Sequence, residues 1–182
     1  MISSVLPSLF DQIKRYGAES IEVEFKLGKV SRHRFETIRD RVTKDSRCRP
    51  LAPTRERNEY NGTDARRVLL DDGRSFTMYK KRLMRVPVDE GNMDVSLERP
   101  GQPDTSARYT IFRDKDRVSF LINDVWRLDM TRIRTNDPRY AESDEELFEV
   151  ELELVFGEMM FYYTLDYALR MGLQLFTELT RV

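Results

Sequence analysis

Carboxylate side chains occupy every second position in one segment near the C-terminal end of the sequence. Glu149, Glu151 and Glu153 alternate with apolar residues over residues 148–154. In a β-strand such side chains share one face and lie roughly 6.5–7 Å apart, so their like charges repel one another. A hard divalent cation such as Mg²⁺ or Mn²⁺ would offset this repulsion, because these ions prefer oxygen ligands. The pattern therefore indicates carboxylate-based metal chemistry.

A second alternating segment, Ile21–Leu27, carries Glu22, Glu24 and Lys26 on one face and apolar residues on the other. This alternation predicts a strand. A half-buried strand usually turns its polar face toward solvent, which is the simplest interpretation of any one such segment. Repetition of the pattern along the chain favours the alternative, in which the charged faces line a shared interior.

Cations occupy a third alternating segment, where Arg113, Lys115 and Arg117 would share one face of a strand. A phosphate chain would neutralise cations that are lined up in this way. Asp114 and Asp116 separate them, so a charged hairpin turn between two strands is an equally good interpretation. If all three charged faces point into a closed barrel, its interior becomes a hydrophilic tunnel that holds a metal at one side and a polyphosphate along its axis.

The composition restricts the other chemistries that this chain could carry out. We expect one folded domain over residues 1–182, of which 40% are hydrophobic. The net charge is −1, so a polyanion must bind at a local basic site. The sequence has one cysteine, Cys48, and one histidine, His33, which excludes an internal disulfide, a multi-cysteine zinc site and a multi-histidine metal site. These features indicate a reducing compartment, cytoplasmic or nuclear.

Helices are predicted at both ends of the chain. Apolar residues at three- and four-residue spacing predict an amphipathic helix that ends near Gly17, and the apolar stretch 159–176 predicts a second helix. A very polar stretch around Ile38 also has helical spacing. We expect residues 49–62, which include two prolines, to form a loop. No uncharged run is long enough to cross a membrane as a helix.

After Arg66 the sequence consists of short strand-like segments separated by turn signals such as Asp71-Asp72-Gly73 and Asn123-Asp124. This spacing is typical of an antiparallel barrel or sandwich. No internal repeat or low-complexity segment divides the chain.

Four motifs follow one another along most of the chain. They are Glu22-x-Glu24-x-Lys26, Arg113-x-Lys115-x-Arg117-Val-Ser-Phe, Trp126-x-Leu-Asp129-x-Thr131 and Glu149-x-Glu151-x-Glu153. Together they resemble the motifs of the triphosphate tunnel metalloenzymes, and the resemblance is closest to the metal-dependent RNA 5′-triphosphatases of fungal, protozoan and large-DNA-virus mRNA capping systems. It implies an α+β, mainly β fold, in which an eight-stranded antiparallel β-barrel forms a hydrophilic tunnel flanked by N- and C-terminal helices.

The resemblance also implies roles for the motif residues. Glu22, Glu24 and Glu153 would bind a divalent metal, Mg²⁺ or Mn²⁺, whereas Glu149 and Glu151 would orient bases or waters. Basic residues would contact the phosphate oxygens. The implied catalytic residues are Glu22, Glu24, Glu149, Glu151, Glu153, Arg113, Lys115 and Arg117.

A further set of residues is implied in substrate binding, namely Lys26, Asp129, Thr131, Lys80 and Arg67. The last two assignments depend on strand register.

Lys81 follows Lys80, and Arg66 precedes Arg67, so either member of each pair could face the tunnel. The strand that contains Asp94 lacks an arginine that the family pattern places between positions 94 and 96.

The resemblance implies removal of the γ-phosphate from triphosphate-ended RNA, with activity on nucleoside triphosphates and transfer of the product to a guanylyltransferase partner. The self-contained length suggests a viral or protist protein, and no membrane association is expected. Two alternatives remain open. One is a thiamine or inorganic triphosphatase of the CYTH branch, which shares the first motif, although the helical segment before Glu22 favours the capping type. The other is a non-catalytic module that binds polyphosphate or RNA ends.

Overall fold

The computed structural model describes residues 2–102, 106, 108–140, 146–156 and 164–181. Over these residues the chain forms three α-helices and nine β-strands, besides short 3₁₀ turns. The predicted helix at the N-terminus, the helix around Ile38 and the strand Ile21–Leu27 are all present. The elements are α1 (Ile2–Tyr16), β1 (Ile21–Leu27), α2 (Arg32–Lys44), β2 (Cys48–Pro50), β3 (Thr54–Tyr60), β4 (Ala65–Leu70), β5 (Ser75–Val88), β6 (Gly91–Pro100), β7 (Ile111–Ile122), β8 (Trp126–Thr135), β9 (Leu147–Leu154) and α3 (Leu165–Thr180).

Eight of these strands form a closed antiparallel ring in the order β7-β3-β4-β5-β6-β1-β9-β8, and the pairing of β7 with β8 completes it. The short strand β2 pairs with the outer part of β7 and does not belong to the ring. Closure leaves these eight strands with a partner on each side, which removes the exposed edges of an open sheet. The predicted eight-stranded barrel is therefore confirmed, and a sandwich is excluded.

The hydrophobic core lies between the outer wall of the barrel and the helices. Apolar side chains of β1, β6, β8 and β9 alternate with inward-facing polar ones, and the apolar set is almost fully buried. Phe25 of β1 packs against Trp126 of β8 and Phe176 of α3, with ring centroids 5.6 and 5.8 Å apart. Because the apolar side chains face outward to the helices, the barrel interior is left to the charged ones.

On the other side of the barrel, the outer face of β3 and β7 carries ion pairs. Arg57 donates hydrogen bonds to Asp114 at 2.6 and 2.9 Å. The expectation of a loop over residues 49–62 was wrong, because this segment contains β2 and β3. Both faces of β3 are polar, so the strand shows no hydrophobic alternation that could reveal it from the sequence.

Helix α3 corresponds to the helix predicted over residues 159–176, but it spans Leu165–Thr180, and residues 159–163 lie outside the described part of the chain. Thr164 caps its N-terminus. At its C-terminus, Arg34 and Arg41 of α2 donate to the carbonyl oxygens of Thr180 and Glu178 at 3.0 and 3.1 Å. These arginines satisfy carbonyl groups that a helix end leaves without partners. None of the described helices is long and apolar enough to span a membrane.

Close packing of α3 on β8 depends on Gly172. A Cβ atom at this position would lie 2.2 Å from Cζ2 of Trp126. We expect Gly172→Ala to lower the free energy of unfolding by about 1–3 kcal/mol, the usual cost of overpacking a core. Helix propensity alone predicts the opposite sign, since alanine is favoured over glycine in a helix by about 1 kcal/mol. Urea unfolding measures the change.

Gly28→Ala is the matched control, because the nearest heavy atom to its Cβ would be a carbonyl oxygen 4.0 Å away. Equal unfolding free energies for the two variants would contradict the packing described here.

Candidate active site

The inward-facing side chains of the barrel enclose a polar tunnel with a cavity of about 360 Å³. Cations and carboxylates from all eight ring strands meet there, and in the described part of the chain they are nearly equal in number. The lining residues are Glu22, Glu24, Lys26, Glu56, Tyr60, Arg66, Lys80, Glu98, Arg113, Lys115, Arg117, Arg127, Asp129, Glu149, Glu151 and Glu153.

Two carboxylates of the predicted metal set face each other across paired strands. Glu24 of β1 lies opposite Glu153 of β9 in the strand register. Glu22 lies two residues away on the same face of β1, so the predicted trio does share one region of the wall. The ammonium group of Lys80 reaches across from β5 and donates a hydrogen bond to Glu22, and it lies 4.0 Å from Glu24.

The environment raises the pKa of both facing carboxyl groups. Burial, assisted by the charges of Glu151 and Glu22, raises the pKa of Glu24 to about 8. Burial, assisted by Glu22, raises the pKa of Glu153 to about 7. Arg127 lowers the pKa of Glu153, and Lys80 lowers both values, without cancelling the other contributions. Burial therefore disfavours the ionised form of both carboxyl groups, an effect that a bound cation would offset.

Among the described residues, no three carboxylate, cysteine or histidine side chains converge closely enough to form a metal site. Beside Glu22, Glu24 and Glu153, the ammonium group of Lys80 donates a hydrogen bond to Glu22. The donor chemistry still fits a hard divalent ion, because Glu22, Glu24 and Glu153 supply carboxylate oxygens.

The basic segment of the sequence is an inward-facing strand and not a hairpin turn. Arg113, Lys115 and Arg117 lie within β7 and face the tunnel. The intervening aspartates face outward, where Asp114 binds Arg57 and Asp116 binds Arg132 at 2.5 Å. Each face of β7 thus carries charges of one sign along this segment, as the strand interpretation predicts.

Lys115 differs from the other tunnel cations of β7. Arg113 donates to Glu149 at 2.9 Å, and Arg117 lies 3.7 Å from Asp129. Within the described part of the chain, Lys115 makes neither a hydrogen bond nor an ion pair, although its side chain is only 9% exposed. Burial lowers the pKa of its ammonium group, and Glu149 and Glu151 limit the decrease. A buried ammonium without a partner is well suited to receive an anion from solution.

The other two glutamates of β9, Glu149 and Glu151, contact a lysine of β1. Lys26 donates a hydrogen bond to Glu151 and lies 3.5 Å from Glu149. Although burial alone would raise the pKa of Glu151, the charges of Lys26 and Lys115 lower it to about 2. Glu151 is therefore ionised at neutral pH, whereas the pKa of Glu153 lies near neutral pH.

The predicted substrate-binding pair on β8 lies in the tunnel wall and contacts its arginines. Asp129 accepts hydrogen bonds from Ser119 at 2.7 Å and from Arg127 at 3.1 Å. Thr131 accepts one from Arg117 at 3.3 Å. Both residues thereby orient guanidinium groups.

The structure also decides the two register questions. Lys80 faces the tunnel, and Lys81 is exposed on the outside. For the arginine pair the expectation was wrong, because Arg67 faces outward, where it binds Glu59 and lies over the ring of Tyr109. Arg66 faces inward in its place and donates to Glu98 at 2.8 Å. Alternation within β4 puts neighbours on opposite faces, so only the register distinguishes them.

Sequence reasoning missed several tunnel residues. Arg127 donates to Glu153 at 2.5 Å and to Asp129, and its position two residues before Asp129 could have revealed it by alternation. Glu56 lies on β3, within the segment predicted to be a loop, and Glu98 lies near the end of β6.

A β-bulge in β5 supplies a cation that the sequence of β6 lacks. The register of β5 against β6 shifts between Arg82 and Met84. As a result, Arg82 and Arg85 both approach Asp94 from the inner face, and Arg85 donates to its two oxygens at 2.7 and 2.6 Å. An arginine thus lies beside Asp94 although none occupies position 95.

Comparison with known proteins supports this architecture. Residues 89–165 match the family model of the mRNA capping enzyme, beta chain. No curated protein sequence matches the chain significantly. Among solved structures, the S. pombe Pct1 RNA triphosphatase has a TM-score of 0.73 at 18% identity, with 99% of this chain and 90% of that chain covered. The Mimivirus capping enzyme triphosphatase has a TM-score of 0.59 at 15% identity, covering 92% and 96%.

At these identities the structural matches establish the fold, and the family match adds the link to mRNA capping over residues 89–165. The closed barrel with its charged interior agrees with both. The chain therefore has the barrel fold of these two RNA triphosphatases, and its residues 89–165 are similar to the mRNA capping enzyme, beta chain.

Proposed function

We propose that the tunnel hydrolyses the β–γ phosphoanhydride of triphosphate-ended RNA and leaves a diphosphate end and inorganic phosphate. One observation carries this proposal: buried carboxylates with raised pKa values and cations that can bind phosphate line the same tunnel. A simple anion receptor would need the cations but not the buried carboxylates. Phosphoryl transfer needs both, because it is catalysed mainly by positioning and charge neutralisation.

The cations of the tunnel would hold the triphosphate. Lys115 has no partner among the described residues and is ready to bind an oxygen, whereas Lys26 and Lys80 must exchange a glutamate for a phosphate. The arginines keep their carboxylate or threonine contacts and present their remaining N–H groups. The proposed phosphate-binding residues are Lys26, Arg66, Lys80, Arg113, Lys115, Arg117 and Arg127.

Glu22, Glu24 and Glu153 would hold a divalent cation, either Mg²⁺ or Mn²⁺. When bound, such an ion offsets charge on the γ-phosphate and on the transition state. Arg127 keeps Glu153 in place through a hydrogen bond. Glu151, ionised and fixed by Lys26, would accept a hydrogen bond from the attacking water and orient it, with Glu149 beside it.

We further propose that residues 1–182 act as one tunnel domain in the cytoplasm or nucleus. The product end would pass to a guanylyltransferase, because a 5′-diphosphate is the group to which a guanylyl residue is added.

The first prediction concerns the metal-binding carboxylates. Replacing Glu22, Glu24 or Glu153 by Ala should lower kcat/KM by about 10²–10³-fold, the size of losing one electrostatic contact to a transition state. In EDTA, the melting temperature of the Glu24→Ala variant should equal or exceed that of the unaltered protein. The reason is that the pKa of Glu24 is raised in the folded state, so its ionisation at higher pH destabilises the fold, and alanine removes this cost. Phosphate release and thermal melts at pH 8 measure both effects.

Glu59→Ala is the matched control, since Glu59 belongs to the same barrel but binds Arg67 on the outside. Full activity of the unaltered protein in EDTA would refute the metal assignment.

The second prediction concerns the alternation along β7. Ala at Arg113, Lys115 or Arg117 should each reduce kcat/KM by about 10- to 150-fold, since a charge-assisted contact contributes roughly 1.5–3 kcal/mol. Ala at Asp114 or Asp116 should change activity little, because both carboxylates face outward. Steady-state phosphate release from triphosphate-ended RNA provides the profile.

A second comparison tests the same geometry in β4. Arg66→Ala should reduce activity, and Arg67→Ala should leave it unchanged. A flat response over the five β7 variants, or the reverse order in β4, would be incompatible with the proposed phosphate contacts.

The third prediction concerns the substrate. The net charge of −1 provides no global attraction for an RNA body, so short and long RNAs should be cleaved with similar kcat/KM and a shallow salt dependence. Nucleoside triphosphates should also lose their γ-phosphate, and diphosphates should accumulate. Thin-layer separation of labelled products measures this outcome. Strong preference for thiamine triphosphate would instead support the CYTH alternative.

A further inference from the structure

A second cavity, of about 610 Å³, lies at the end of the barrel where β1 and β8 end and β9 begins. It shares the lining residues Lys26, Arg113 and Glu149 with the tunnel, so the two cavities adjoin. We call this cavity the tunnel mouth. Its volume lies within the range of roughly 300–1,000 Å³ that is typical of small-ligand sites.

The charge of the tunnel mouth differs from that of the tunnel. In the described lining, five cations face two carboxylates, whereas the tunnel itself is nearly balanced. Lys29, Arg85 and Arg139 are the cations that only the mouth contains. These cations of the described lining could contact phosphates outside the tunnel.

A short turn, Pro138–Tyr140, builds one side of the tunnel mouth and is tied to the end of β8. Asp137 is only 3% exposed, and its backbone N–H donates to the hydroxyl oxygen of Thr135 at 3.1 Å. Its carboxylate accepts a hydrogen bond from Nε of Arg139 at 3.0 Å. The Arg139 side chain is thereby oriented while remaining largely exposed. Tyr140 follows it and presents an aromatic ring to the same cavity, with 41% of the residue exposed.

An exposed aromatic ring beside oriented cations has the chemistry of a single-stranded nucleic-acid site, in which bases stack and cations follow the backbone. We propose that the tunnel mouth binds the first nucleoside of the RNA, with its base on Tyr140 and the next phosphate at Arg139 and Lys29. The triphosphate then extends inward past Lys26 and Arg113, and the γ-phosphate reaches Glu24 and Glu153. This inference rests on the proposed function and adds to it the direction of the substrate.

The test compares three ligands that share a chain of three phosphates. ATP and triphosphate-ended RNA carry a nucleoside on it, whereas inorganic tripolyphosphate does not. Tyr140→Ala should raise KM for ATP and RNA by roughly 5- to 100-fold, the range for losing one base–aromatic stack. KM and kcat for tripolyphosphate should stay unchanged. Tyr140→Phe, which keeps the ring, should behave like the unaltered protein, and so should Tyr167→Ala, which removes an exposed tyrosine of α3 outside the cavity.

Binding provides a readout that does not require hydrolysis. Isothermal titration with β,γ-imido-ATP should show the same loss for Tyr140→Ala, whereas tripolyphosphate affinity should be retained. Equal effects on all ligands, or no effect on any, would overturn the nucleoside site. If the unaltered protein hydrolyses no substrate, the proposed function fails, but the titrations still decide whether the mouth recognises a nucleoside.

Discussion

The structure depends on mutual neutralisation of charges that are buried inside the barrel. An isolated ion in such a space would be strongly destabilising, so most inward carboxylates are paired with an ammonium or guanidinium from another strand. Lys26 with Glu151, Lys80 with Glu22 and Arg127 with Glu153 are examples. The pairing is incomplete in two places. Among the described residues, Lys115 has no anionic partner within ion-pair distance, and Glu24 has only the ammonium group of Lys80, 4.0 Å away.

This polar interior moves the hydrophobic core to the outside of the barrel. Phe25, Trp126 and Phe176 join two strands to α3, so the helices stabilise the wall whose inner face carries the glutamates. On the opposite wall, no helix of the described residues covers β3 and the first half of β7, and this part carries surface ion pairs, which usually contribute less. The helix-backed side therefore positions the carboxylates, and the other side presents many of the cations.

Prediction from the sequence succeeded where one face of a strand is apolar and failed where neither face is. The alternation in β1 and β9 identifies both the strands and their inward residues, because the helices require an apolar outer face. Strand β3 is polar on both faces, so its tunnel residue Glu56 was hidden in a predicted loop. Arg67 was chosen over Arg66 because local spacing does not set the register of β4; the pairing with β3 and β5 does.

Because of the bulge in β5, the number of residues in this strand determines which of its side chains face the tunnel. Before it, even-numbered residues such as Lys80 and Arg82 face inward; after it, Arg85 does, and Met84 and Val86 turn toward the helices. One additional residue thus reverses the inside–outside parity of the rest of the strand. Deleting that residue would place apolar side chains in the tunnel instead of an arginine, although no other residue would change. Two tunnels of this fold can therefore have charges at the same positions without having the same spacing between motifs.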